Sequence, residues 1–384
     1  MPVLLLSIDS LRLDAAPRAN PSQRWPRFDQ ATRHFGFCSR LFSTSSATRP
    51  VHASLFTGLY PGEHGVLGQR RTCLRPGIEH LFALCQRQQR PALGFSEAAS
   101  VFAGLDFADA IAPLAPEPAA GLGQLRAALA AEPSVLFVHY WGAHTPYGAA
   151  DGRADGEVLR LLRRGRRAEV ESRYRAAASR VAETQLAPLL EQLDPRRWAV
   201  FIFGDHGESW TPDEPYHGQT LRNSVLRVPL YFHLPGSGNP EPTRPLLSMV
   251  DLFPTLLRVL GLEGTYRGPG VDVWAARAPG PWLAEIEPLH ESDDLQSGNR
   301  APSAPLLWAA WDTTHKLTVG SHGAWLERLF SEERVDDPAV ADALRAGRQE
   351  LLAASPTAQS LWPATDAAAS ARLDQRLRDL GYLT

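Results

Sequence analysis

The chain has 384 residues, 44% of them hydrophobic, and a formal net charge of −3. That length supports a large buried core and exceeds one ordinary domain, so a main domain with a smaller appendage is expected. The charge balance excludes a general electrostatic attraction to nucleic acid or to anionic membranes. Lys316 is the sole lysine, so nearly all the basic charge is arginine. Cys38, Cys73 and Cys85 are an odd number without regular spacing, which excludes a disulfide framework. The opening apolar run is too short for a secretory signal, and no stretch reaches the roughly 20 apolar residues that span a bilayer. A cytoplasmic protein without a membrane span is expected.

Residues 3–8 are a nearly continuous apolar run, the pattern of a central parallel strand buried on both faces. Asp9 and Ser10 follow at its C-terminal end, where open α/β sheets place their ligands. An Asp there also serves as an ordinary cap or turn residue. Residues 21–40 read as a loop and an amphipathic helix. The next segment runs Ser-Thr-Ser-Ser-Ala-Thr-Arg-Pro-Val-His-Ala-Ser-Leu-Phe-Thr-Gly from Ser43 to Gly58. Thr48 as N-cap, Pro50 in the first turn and Gly58 as a left-handed stop define a short helix. Thr48 thus meets unpaired backbone N–H groups and the positive end of the helix dipole, and both favour an anion. Its hydroxyl is placed to attack a phosphate-like group.

Residues 77–88 have helical period, with Ile78, Leu81, Phe82, Leu84 and Cys85 inward. Residues 91–95 read as a short strand and 121–131 as a helix. The strand over 135–139 opens into Tyr-Trp-Gly-Ala-His-Thr-Pro-Tyr, and His139 at its exit is read as a packed residue. The basic run over 159–167 is either a solvated helix end or a lid that draws in an anionic substrate. A long amphipathic helix over 170–193 stops at Asp194-Pro195. The buried strand over 198–203 ends in Gly-Asp-His-Gly-Glu, where Asp205 and His206 can bring a carboxylate oxygen and an imidazole nitrogen to one ion. Residues 228–234 read as a strand and 248–260 as a helix with Asp251 as its cap. The Gly- and Pro-rich stretch over 261–281 divides a catalytic domain, 1–262, from a C-terminal subdomain, 263–384. In the latter, 282–286 and 305–319 read as antiparallel strands, and 338–353 and 367–380 as helices.

The segment from Ser43 to Gly58 resembles the nucleophile motif of the sulfatase branch of the alkaline phosphatase superfamily. In that motif a nucleophile, any residue, Pro, any residue and a basic residue precede a short helix ending in Thr-Gly. The resemblance places Thr48 on the nucleophile, Pro50 on the motif proline and His52 on the basic position, usually Arg. Ile-Asp-Ser-Leu-Arg is similar to the family's opening metal motif and puts Asp9 on a ligand. Asp205 and His206 fall on further ligands, with the Thr48 oxygen completing the set. His144, in His-Thr-Pro-Tyr, and His217, where sulfatases commonly carry a lysine, fall on residues that contact the oxyanion or the leaving group. The segments 216–230 and 251–255 and the ending 380–383 are also similar to the family's.

Several departures shift the chemistry. True sulfatases oxidise a Cys or Ser at the Thr48 position to formylglycine, a conversion closed to threonine. Ser10 stands where calcium-dependent sulfatases often carry a second Asp, so zinc or manganese is favoured, with magnesium or calcium as alternatives. No Asp occurs between Ser134 and Ala150, so a complete second metal site is not expected. Lys316 alone cannot fill two active-site lysine positions. The resemblance implies an α/β fold, a doubly wound mixed, mostly parallel sheet with a small C-terminal α+β subdomain. It implies a divalent metal, a small anionic ester substrate and no nucleic acid. The leading expectation is hydrolysis of phosphate or phosphonate esters through a phospho-threonine. The alternatives are transfer to an acceptor hydroxyl, sulfuric ester hydrolysis and a non-catalytic anion-binding relative.

Overall fold

The computed structural model describes residues 1–69, 73–147, 155–211, 214–262, 266–276, 280–288, 306–321 and 323–355. All six residues of β1 (Val3–Ile8) are buried. A strand this apolar has no solvent face and must lie inside a sheet covered on both sides. It pairs in parallel with β5 (Val135–Tyr140) and β6 (Ala199–Gly204). The sheet also contains β2 (Gly36–Phe42), β3 (Ala92–Ser96), β4 (Ile111–Pro113), β9 (Arg227–His233) and β10 (Leu247–Ser248). Its order is β10-β2-β9-β6-β1-β5-β3-β4. β9 is antiparallel to both neighbours and the other pairs are parallel, which is the mixed, mostly parallel sheet expected. Between them, β7 (Ser209–Trp210) and β8 (Pro215–Tyr216) form a separate ribbon.

Alternation along β1 divides the core. Val3 and Leu5 join Phe137 and Phe201 on one face, in the layer holding Val51, Leu55 and Phe56 of the helix Thr48–Thr57. Leu4, Leu6 and Ile8 join Leu136 and Ile202 on the other, in the layer holding Tyr174, Val181 and Leu189. Full burial of each such side chain contributes about 1.5–3 kcal/mol, so the helix Thr48–Thr57 is held down chiefly by packing.

The helix expected over 170–193 runs as Arg167–Val181, a π-helical turn Ala182–Leu186 and a last turn Ala187–Leu190. Pro188 donates no backbone hydrogen bond, and the wide turn before it makes room for its ring. Four expectations are corrected. Of residues 21–40, Pro26–Ala31 is the helix expected, but residues 36–40 belong to the strand Gly36–Phe42. The helix expected from residue 77 is Leu81–Arg87, because Gly77 turns at φ 83° and His80 Nδ1 caps by accepting from Ala83 N. Thr48 is the first helical residue and Ala47 the cap, while Gly58 ends the helix at φ 71° as expected. Asp251 does not cap Leu252–Leu260 with its side chain; it accepts from Ser248 N at 2.7 Å, closing the 3-10 turn Met249–Asp251.

Beyond residue 262, β11 (Trp282–Ile286), β12 (Leu307–Trp311), β13 (His315–Gly320), β14 (Gly323–Arg328) and β15 (Arg334–Val335) form an antiparallel sheet in sequence order. The helix Pro338–Ala354 packs on it through Ala341 and Leu344. This sheet seats Trp311 against Phe42 of β2, with ring centroids 5.3 Å apart. The helix expected over 367–380, the ending 380–383 and the first part of the loop before the basic run lie outside the described residues. Cys38, Cys73 and Cys85 are unbridged thiols. Among the described residues no helix is long and apolar enough to cross a membrane.

Candidate active site

Three adjacent strands deliver the site. The register sets Ile8 of β1 beside Tyr140 of β5 and Gly204 of β6, so Asp9 and Asp205 leave the sheet at one level. The helix Thr48–Thr57 begins at the same place. Thr48 Oγ1 lies 3.1 Å from Asp9 Oδ2 and 3.4 Å from His206 Nε2. His206 Nε2 lies 3.9 Å from Asp9 Oδ1 and 3.6 Å from Asp205 Oδ2. All four residues are fully buried.

These groups fit a divalent ion. Asp205 Oδ2 is buried without any hydrogen-bond partner, an arrangement that a cation relieves. One ligand atom from each of Asp9, Asp205 and His206 lies within 4.8 Å of the others, a spread that a single ion can span. Burial and the adjacent Asp9 charge hold the Asp205 carboxyl well above its ordinary range. Burial also acts upward on Asp9, but His144, His139 and His206 together hold its carboxyl well below it.

Hydrogen bonds aim each group. Ser10 Oγ donates to Asp9 Oδ1 at 2.8 Å, and Ser10 N donates to Asp205 Oδ1 at 3.0 Å, so one residue orients both carboxylates. Ser10 does this at φ 58°, a costly conformation for a residue with a Cβ. His206 Nδ1 donates to the Gly207 carbonyl at 2.9 Å, which turns an Nε2 lone pair inward. Burial first and then His217 push the His206 imidazole down to about 3, so it is neutral.

His144 and His217 form the opposite wall. Their ring centroids are 4.8 Å apart, and His217 lies 4.5 Å from His206. His144 Nδ1 donates to the Thr145 carbonyl at 2.7 Å, and its ring stacks on Trp141 at 3.7 Å. Burial pushes its imidazole down to about 4 against the upward pull of Asp9. His217 Nδ1 donates to Glu208 Oε1 at 3.2 Å. The loop carrying His217 is tied to the segment before Thr48 by Gly218 N, which donates to the Ser46 carbonyl at 2.7 Å.

The structure places His52 behind Thr48. Its Nδ1 donates to the Thr48 carbonyl at 2.8 Å and its Nε2 accepts from Ser7 Oγ at 3.0 Å, so both nitrogens bond inside the core. Burial pushes its imidazole down to about 3. Two residues at the site carried no functional role in the sequence reading. Glu208 is visible only as the acid following Asp-His-Gly. His139, read as a packed residue, places Nε2 at 3.3 Å from Asp9 Oδ2.

Comparison with known proteins agrees with this architecture. A family model described as Type I phosphodiesterase / nucleotide pyrophosphatase matches residues 3–87, and one described as Sulfatase matches residues 119–262. The low-salt glycan biosynthesis sulfotransferase of Haloferax volcanii is 28% identical over 289 residues, 71% of this chain and 64% of that protein. The chain thus spans slightly less than two thirds of that relative's length. Among solved structures, a 2-O GAG sulfatase superposes with a TM-score of 0.71 at 13% identity, covering 96% of each chain. The phosphonate monoester hydrolase of Agrobacterium radiobacter superposes with a TM-score of 0.66 at 17% identity, covering 92% of this chain and 95% of that one. At such identities the superpositions show the fold. With the two partial family matches, they support a likeness to the sulfatase-like branch of the alkaline phosphatase superfamily.

Proposed function

We propose that this protein is a metal-dependent hydrolase of small phosphate or phosphonate esters, with Thr48 as its nucleophile. The observation that carries the reading is the approach of Thr48 Oγ1 to Asp9 and His206, at 3.1 and 3.4 Å, at the start of a helix. Asp9, Thr48, Asp205 and His206 would hold the ion, with zinc or manganese favoured by the mixed oxygen and nitrogen donors. When bound, a divalent ion supplies Lewis-acid charge and depresses the pKa of a coordinated hydroxyl.

The chain's own residues account for the rest. Thr48 Oγ1 donates to Asp9 Oδ2, the acceptor for its proton, and forms a bond to phosphorus as the bond to the leaving oxygen breaks in line. Backbone N–H groups at the helix start face the non-bridging oxygens. His217, supported by Glu208, gives a proton to the leaving oxygen and recovers one from the water that cleaves the phospho-threonine. His144, held neutral by burial, orients the transferring anion or that water.

The sulfotransferase named among the relatives favours a second reading, transfer of the group from Thr48 to an acceptor hydroxyl. A panel of nitrophenyl phosphate monoester, phosphate diester, phosphonate and sulfate separates the readings when run beside Thr48→Ala and Asp205→Asn. A phosphorus ester is expected to be preferred, and both variants to lose a factor on the order of 10³ or more. Full activity in Thr48→Ala, or a preference for the sulfate, would sink the proposal. Products that change with an added alcohol would establish transfer.

A further inference from the structure

We propose that His139 is a positioning residue that orients the Asp9 carboxylate, a role that rests on the metal-site reading above. His139 lies at the end of β5, fully buried, with its ring held edge-on by Phe102 at 5.4 Å and His52 at 5.1 Å. Its Nδ1 lies 2.8 Å from Ser96 Oγ. Ser96 is also fully buried, and its Oγ already accepts from Ala98 N at 3.0 Å.

That pair of contacts assigns the tautomer. With its oxygen accepting from Ala98, the Ser96 hydroxyl has a proton to place, and His139 Nδ1 is the acceptor within reach. A proton on Nδ1 instead would strand the Ser96 proton, unpaired, in the core. The proton of the neutral ring therefore sits on Nε2. Nε2 has no hydrogen-bond partner of good alignment and faces Asp9 Oδ2 at 3.3 Å. The opposite tautomer would set a nitrogen lone pair against that oxygen. At 3.3 Å the contact is longer than the 2.7–2.9 Å of strong charge-assisted bonds, so it biases the carboxylate's orientation and does not neutralise its charge.

The relay Ser96, His139, Asp9 crosses the ends of three consecutive strands, β3, β5 and β1. It terminates on the same oxygen, Oδ2, that faces Thr48 Oγ1 at 3.1 Å. Groups that orient a metal ligand in this way typically govern affinity by 10- to 100-fold.

The test is the Zn²⁺ affinity of the full chain, measured by chelator competition, for wild type, His139→Phe, His139→Gln, Ser96→Ala and Asp205→Asn. Each is also loaded with Co²⁺ for its absorption spectrum and checked for cooperative unfolding. His139→Phe is expected to lose roughly 10- to 100-fold in affinity. Ser96→Ala should lose affinity in the same direction. His139→Gln, whose amide can present an N–H toward Asp9, should recover most of the loss, and the Co²⁺ spectra should keep the wild-type ligand number. Equal affinity in wild type and His139→Phe overturns the proposal, as does a Co²⁺ spectrum reporting one ligand fewer. If His139→Phe does not fold, Ser96→Ala carries the same expectation and unchanged affinity there overturns it. A wild type that binds no ion overturns the metal reading and this role together, whereas loss in Asp205→Asn alone overturns only the role of His139.

Discussion

Glu208 accepts a hydrogen bond from His217 Nδ1 at 3.2 Å with one oxygen and from the Tyr147 hydroxyl at 3.2 Å with the other. Trp210 Nε1 donates in turn to the Tyr147 oxygen at 3.1 Å. A buried carboxylate fixed at both oxygens holds the imidazole in one orientation and stabilises the imidazolium that proton transfer creates.

Glu208→Gln is therefore expected to lower kcat by roughly 100-fold, within the usual range for acid–base catalysis, with KM changed only a few-fold. The loss should grow as the leaving group becomes more basic, because only a poor leaving group needs the proton. Rates for a series of aryl esters check this. An equal loss across the series would assign Glu208 to structure alone.

Metal removal should destabilise the fold as well as silence it. Asp9 and Asp205 are buried side by side, and an ion that binds only the folded state adds about 4 kcal/mol at a thousand times its Kd. The thermal midpoint is expected to fall on chelation and to recover with zinc or manganese. In Asp205→Asn that difference should shrink, since the site has lost a charged ligand. A midpoint indifferent to chelator in the wild type would count against a bound ion.

Lys316, the sole lysine, is buried on β13 and contacts Glu327 Oε1 at 2.8 Å and Glu332 Oε1 at 3.2 Å. It also donates to Asn223 Oδ1 at 3.0 Å and to the Leu221 carbonyl at 3.2 Å, a few residues beyond His217. Lys316→Met should cost about 3–5 kcal/mol, because it strands buried acceptors. Adding Glu327→Leu should recover part of the loss. Urea unfolding of the three proteins measures both effects, and a neutral single substitution would contradict the account.

Glu63 should oppose the gain in stability that the buried neutral histidines give as pH rises toward neutrality. Burial, reinforced by Glu285, pushes the Glu63 carboxyl up to about 7 against the hydrogen bond from Tyr60 N. Between its ordinary value of 4.5 and about 7 the folded state holds a proton that the unfolded state has released. The contribution of Glu63 itself thus falls with rising pH, by about 3 kcal/mol across that window at about 1.4 kcal/mol per unit, while His52, His144 and His206 contribute in the opposite direction. Glu63→Gln removes the titrating group, so stability should rise more steeply with pH across this window than in the wild type. Identical slopes in both proteins would place the effect elsewhere.

What was legible in the sequence is what local chemistry dictates. Val3 to Ile8 could only be a strand buried on both faces, and Gly58 could stop a helix because it takes a left-handed conformation at little cost. Thr48, Asp9 and the pair Asp205 and His206 stood out because each follows or begins such an element. Gly36–Phe42 did not read as a strand: Ser39 and Arg40 interrupt its apolar pattern, and its pairing with β9 shifts register between Cys38 and Leu41. A bulge of this kind breaks the two-residue period by which strands are recognised.

The sequence by itself thus determined the sheet and the helix that presents Thr48, since strand exits and helix starts are set by local pattern, whereas Asp9 reads as a metal ligand only through the family resemblance. Only the tertiary structure decided the company those residues keep. It turned His52 to the Thr48 carbonyl and Ser7, set Glu208 under His217 and brought Ser96 and His139 to Asp9. These contacts join residues on different strands and loops, and no spacing along the chain encodes them. They arise because β1, β5, β3 and β6 end at one level, which fixes the neighbours and the protons each buried nitrogen can carry.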